Sequence, residues 1–111
     1  MTTEAEYEAR AVPELKRLLV ALDALEDEGV EAEFESDILT VELVDDTRYV
    51  INSHRAARQI WMAAERSAWH FDWSSERDAW IATKSGDELW TTLERVLAAK
   101  LGRPIHLERR T

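Results

Sequence analysis

Apolar residues recur along this chain with two different periods, and each change of period marks a change of element. From Glu4 to Leu25, the residues Val12, Leu15, Leu18, Leu19, Leu22 and Leu25 fall three and four apart, the spacing of one helical face. Pro13 lies inside that run. It has no backbone N–H to donate, so it predicts either a kink or a regular helix that starts near it. Gly29 stops the helix. Val30 to Ser36 then alternates, with Val30, Ala32 and Phe34 on one side and Glu31, Glu33 and Glu35 on the other. Three more strands follow at Leu39–Val44, Arg48–Asn52 and Gln59–Ala64, with Asp45-Asp46 as a short turn. Glu65 to Ala68 turns the chain into a strand over Trp69–Trp73, and a polar loop at Ser74–Asp78 leads to a last strand over Ala79–Thr83. The helical period returns at Leu89, Trp90, Leu93, Val96, Leu97 and Leu101, and Gly102 and Pro104 end it. Ser85 and Glu88 have the spacing of a capping box for that helix. The tail Ile105-His106-Leu107 is expected to pack back against the helices.

The order is helix, a meander of five or six strands, helix. It predicts an α+β fold, a two-layer α-β sandwich whose antiparallel sheet carries the N- and C-terminal helices on one face. Residues 1–111 are expected to form one domain. In this arrangement Ile60 and Met62 point inward, which puts Gln59 and Trp61 on the outer face of the sheet near Asn52. A large aromatic framed by two amides on a wet face marks a docking surface. On the strand over Trp69–Trp73, the residues Trp69, Phe71 and Trp73 share one face and His70 and Asp72 the other.

Charge changes the picture more than composition does. The formal net charge is −9, and it is unevenly placed. Glu4 to Asp37 holds twelve acids against three bases, whereas Ile38 to Thr111 holds eleven of each. The acids Asp23, Glu26, Asp27, Glu28, Glu31, Glu33, Glu35 and Asp37 wrap from a helix end onto an edge strand. This argues against a nucleic-acid backbone as partner, which needs Lys and Arg, and favours a cation or a basic protein. A purely solvated face that keeps the edge strand unpaired is the plain alternative. Acids at the helix C-terminus oppose the macrodipole, a cost that a nearby cation would remove. The acidic N-terminus lacks the apolar run of a secretory signal and the arginines of a mitochondrial presequence. No apolar segment is long enough to span a membrane. The absence of cysteine fits a reducing compartment, and a cytoplasmic location is expected.

Conventional catalytic constellations do not emerge. The chain has three glycines and no glycine-rich phosphate loop. His54, His70 and His106 are scattered, without the spacing of a helical metal site. His70 beside Asp72 is the best of them, because a carboxylate can orient an imidazole. Clustered carboxylates without sulfur or imidazole suit hard cations such as Ca²⁺, Mn²⁺, Fe²⁺ or Fe³⁺, held weakly with much of their water.

One ordered set of residues carries a resemblance across nearly the whole chain: Leu39-Thr40 through Ile51-Asn52, then Gln59-Ile60-Trp61, then Trp69-His70-Phe71-Asp72, then Trp80. The chain resembles the frataxin family, most closely its bacterial branch. That resemblance implies the same two-layer sandwich. It also implies iron, Fe²⁺ or Fe³⁺, on an acidic ridge drawn from Asp23, Glu26, Asp27, Glu28, Glu31, Glu33 and Glu35, with Glu4 and Glu8 as further contributors. It implies a regulator or iron donor in iron–sulfur cluster assembly, with a cysteine desulfurase and a scaffold protein as partners. Asn52, Gln59 and Trp61 match the sheet positions that take part in those contacts. The expected state is a monomer with iron-dependent oligomers. Two alternatives stay open: slow ferroxidase and storage activity on the ridge, or an acidic interaction module that never meets iron. Ala56-Ala57-Arg58 stands where many relatives carry proline, and the ridge is glutamate-rich and compressed towards the helix end and strand.

Overall fold

The computed structural model describes residues 3–109. Helix α1 spans Glu4–Asp23, and a 3-10 turn occupies Glu26–Glu28. Six strands follow: β1 (Val30–Glu35), β2 (Ile38–Leu43), β3 (Arg48–His54), β4 (Gln59–Ala64), β5 (Ser67–Ser74) and β6 (Ala79–Ala82). Helix α2 closes the order at Leu89–Leu101. The strands form one sheet in chain order, and each neighbouring pair is antiparallel. Both helices lie on one face, as the two-layer α-β sandwich requires.

Alternation along the strands produces this layering. Val30, Leu39, Val41, Tyr49, Ile51, Ile60, Phe71 and Trp80 point inward and are fully or almost fully buried. They meet Tyr7, Leu15, Leu18 and Leu22 of α1 and Leu89, Leu93 and Leu97 of α2. Each such side chain stabilises the fold by about 1.5–3 kcal/mol on burial. That is why α1 runs unbroken through Pro13. The lost hydrogen bond and ring clash cost ~3 kcal/mol, but the helix has buried residues on both sides of the proline. Thr3 caps α1, its Oγ1 accepting from Glu6 N at 3.1 Å.

The start of α2 differs from the expected capping box. Glu88 is the cap, and its carboxylate accepts from Trp90 N at 2.8 Å and Thr91 N at 3.1 Å. Ser85 Oγ instead accepts from Asp87 N at 3.3 Å. The reason is an extra bridge: Glu88 pairs with Ile81 and Ala82 N donates to Asp87 O at 2.7 Å, so the chain is still extended there. The C-terminal tail packs as expected. Leu107 joins the core, and its N–H donates to Glu94 Oε2 at 2.7 Å.

Tyr7 ties the helical layer to the sheet. Its hydroxyl donates to the Gln59 carbonyl at 2.9 Å and accepts from the Ser53 hydroxyl. Burial pushes the Tyr7 phenol above its ordinary range. The bond fixes α1 against the ends of β3 and β4 that carry Asn52 and Gln59.

Candidate functional site

The acidic edge is built at one margin of the sheet. β1 is an edge strand, and Glu31, Glu33 and Glu35 alternate onto its exposed outer face. α1 ends at Asp23, and the 3-10 turn places Glu26, Asp27 and Glu28 beside it. Gly29 then adopts φ +87°, with its N–H donating to Glu26 O at 3.0 Å, and redirects the chain into β1. A left-handed residue of this kind favours glycine. The helix-end and strand acids thereby come together. Asp23, Glu26, Glu31 and Glu33 line one cleft of about 370 Å³ together with Glu42.

Glu42 is a member that the sequence reading missed. It sits on β2 directly opposite Glu31. Only the strand register reveals it, because eleven positions separate the two residues. Facing carboxylates destabilise a sheet by a few tenths of a kcal/mol, and Arg48 offsets this by donating to Glu42 Oε1 at 2.8 Å. The other sequence-derived acids lie apart from the cleft. Asp27 is exposed in the 3-10 turn, and Glu35 lies at the far end of β1 opposite Ile38. Glu28 accepts from Arg103 Nε at 2.9 Å. Glu8 pairs with Arg55 at 3.5 Å, and Glu4 lines a separate cleft with Arg10 and Arg55. Glu8 stands about 22 Å from Asp23 along the helix axis. Among the described residues, no three Asp, Glu or His side chains converge into a preformed metal centre. Surface carboxylates that do not converge leave a hard cation much of its water shell.

The second surface is the outer face at the middle of the sheet. Ile38, Asn52, Trp61 and His70 lie in register across β2, β3, β4 and β5. Trp61 Nε1 donates to Gln59 Oε1 at 2.8 Å, and Gln59 Nε2 donates to Asp72 Oδ1 at 3.1 Å. Asn52, Gln59 and Trp61 therefore do gather on one face, as the alternation implied. Asp72 is bonded to Gln59, so the imidazole nearest it in sequence is employed elsewhere. His70 stacks on Trp61 with ring centroids 4.2 Å apart and planes 14° from parallel. His54 stacks on Trp61 from β3 at 3.7 Å and 17°.

The family model of the frataxin-like domain matches residues 1–103. The chain belongs to the frataxin-like family. The iron–sulfur cluster assembly protein CyaY of Thioalkalivibrio sulfidiphilus is 38% identical over 85 residues, covering 77% of this chain and 78% of the relative. Similarity therefore places this frataxin-like chain in the CyaY branch of iron–sulfur cluster assembly proteins. Solved structures share the fold. A frataxin from Psychromonas ingrahamii has TM-score 0.81 at 21% identity, over 98% of this chain and 100% of that one. A trimeric frataxin from the yeast Saccharomyces cerevisiae, complexed with ferrous, has TM-score 0.73 at 23% identity over 84% of this chain and 86% of that one. The family expected from the ordered tryptophan and amide positions is thus the family found. No helix among the described residues is long and apolar enough to cross a membrane.

Proposed function

We propose that this frataxin-like chain carries Fe²⁺ or Fe³⁺ as cargo on its acidic edge and serves iron–sulfur cluster assembly as an iron donor or regulator. The observation that carries this reading is the cleft shared by Asp23, Glu26, Glu31, Glu33 and Glu42. It concentrates five carboxylates from a helix end, a turn and two strands, and Arg48 is bonded to one of them, Glu42. The same negative edge fits a basic surface on a cysteine desulfurase. The outer face around Asn52, Gln59 and Trp61 fits the scaffold protein. The ferrous complex of the yeast frataxin supports iron as the cargo. The donors are all carboxylate oxygens, which suits reversible, water-rich binding.

Replacing Glu31, Glu33 and Glu35 together with Gln tests the assignment. Affinities for Fe²⁺ and for purified cysteine desulfurase should fall together while the circular dichroism spectrum stays unchanged. Loss of desulfurase binding alone would leave an acidic docking module without metal. Unchanged affinity for both would sink the edge assignment.

A further inference from the structure

Trp61 is held more completely than a docking tryptophan on an open sheet needs to be. β4 runs between β3 and β5, so His54 and His70 approach the indole from its two opposite sides. The three rings stand side by side, nearly parallel, on the outer face of the sheet. The indole cannot swing towards either neighbouring strand without displacing a histidine. Its N–H is bonded to Gln59, and Gln59 is bonded in turn to Asp72. His54 is anchored as well, because its Nδ1 accepts from Ala57 N at 3.3 Å.

We infer that His54 and His70 are positioning residues that clamp Trp61 edge-on, and that the partner of this face recognises a row of three ring edges rather than an indole face. The inference rests on the reading of the outer sheet face as the scaffold-docking surface. It adds two residues and a constraint on the partner. With both indole faces covered, a partner cannot lay an aromatic ring or a guanidinium on Trp61. It must offer a narrow apolar slot for the edges. Ile38, in register with Asn52 and exposed, extends the apolar rim on one side. Immobilising a side chain before binding removes the ordering cost at the interface, which for one side chain corresponds to about two- to tenfold in affinity.

His54 is open to a clean test because stacking can be removed and restored. In His54→Ala the Trp61 indole N–H should show a lower order parameter by ¹⁵N relaxation and a changed ring-current shift. Affinity for purified scaffold protein should fall about two- to tenfold. His54→Phe, which stacks but carries no nitrogen, should restore the indole order and most of the affinity. Trp61→Ala should weaken scaffold binding more than either. An indole as ordered in His54→Ala as in the parent chain would overturn the clamp. A loosened indole with unchanged affinity, while Trp61→Ala still weakens binding, would overturn its role in docking. Trp61→Ala without effect on affinity would instead overturn the docking surface itself, and the indole relaxation would still report on the stack.

Discussion

Arg103 reaches from the end of α2 to the acidic turn and grips Glu28 twice, Nε donating to Oε1 at 2.9 Å and Nη2 to the Glu28 carbonyl at 3.2 Å. A cation is thereby supplied where acids crowd the C-terminal end of α1 and the macrodipole disfavours them. The pair is half exposed, at 43% and 39%, so its share of stability is small, about 0.2–1 kcal/mol.

Arg103→Ala should therefore lower Tm by about 1–5 °C and at the same time free Glu28 for the edge. Cation affinity, measured by calorimetric titration with Fe²⁺ and with Ca²⁺, should rise about two- to threefold as one more carboxylate joins. A variant that binds metal more weakly than the parent would show that Arg103 supports the acidic turn rather than withholding Glu28 from the edge.

Gly29 is where the acidic turn meets the strand, and its backbone leaves no room for a side chain. A Cβ there would come within 2.6 Å of Val44 Cγ1, and φ is +87°. Gly29→Ala should cost about 1–3 kcal/mol in urea unfolding. Adding Val44→Ala should recover the steric part, since Val44 is 80% exposed and contributes little burial of its own. The backbone part should remain. Full recovery would show that the left-handed φ carries no cost.

Asp45 ties the β2–β3 turn to α2 through Lys100 Nζ at 2.7 Å. The Lys100 hydrogen bond comes first among the causes, and those from Thr47 follow; together they hold the Asp45 carboxyl well below the usual carboxylate range. A depressed folded-state value means that the stabilisation is present above the unfolded carboxylate value near about pH 4. It is lost as pH falls further, through the folded value. Asp45→Asn should lower Tm at pH 7 by a small amount, and the difference from the parent should vanish in strong acid. A gap that widened on acidification would contradict the assignment.

Much of the fold was legible in alternation alone. Ile51, Ile60 and Met62 declared their faces, and Gln59 with Trp61 fell outward by parity. The register across strands was not legible, and it holds the residues that sequence reading missed. Glu42 joins the acidic cleft only because β1 and β2 set it opposite Glu31. His54 was expected in a connection after Asn52, but β3 continues to His54 and pairs it with Gln59. That extension is what brings its ring onto Trp61. At the start of α2, the Ser85 capping signal lost to the bridge between Ile81 and Glu88, a contact between residues seven apart. Pro13 pointed to a kink or to a helix starting near it; the helix instead starts at Glu4, with buried residues on either side of the proline.

An anaerobic amide NMR titration with Fe²⁺, with Ca²⁺ as diamagnetic control, asks whether the proposed acidic edge holds iron. Paramagnetic broadening should be confined to Asp23–Glu35 and the facing stretch of β2 around Glu42, with matching shifts in Ca²⁺. Broadening centred on His70 and Asp72, or no response at millimolar metal, would contradict it.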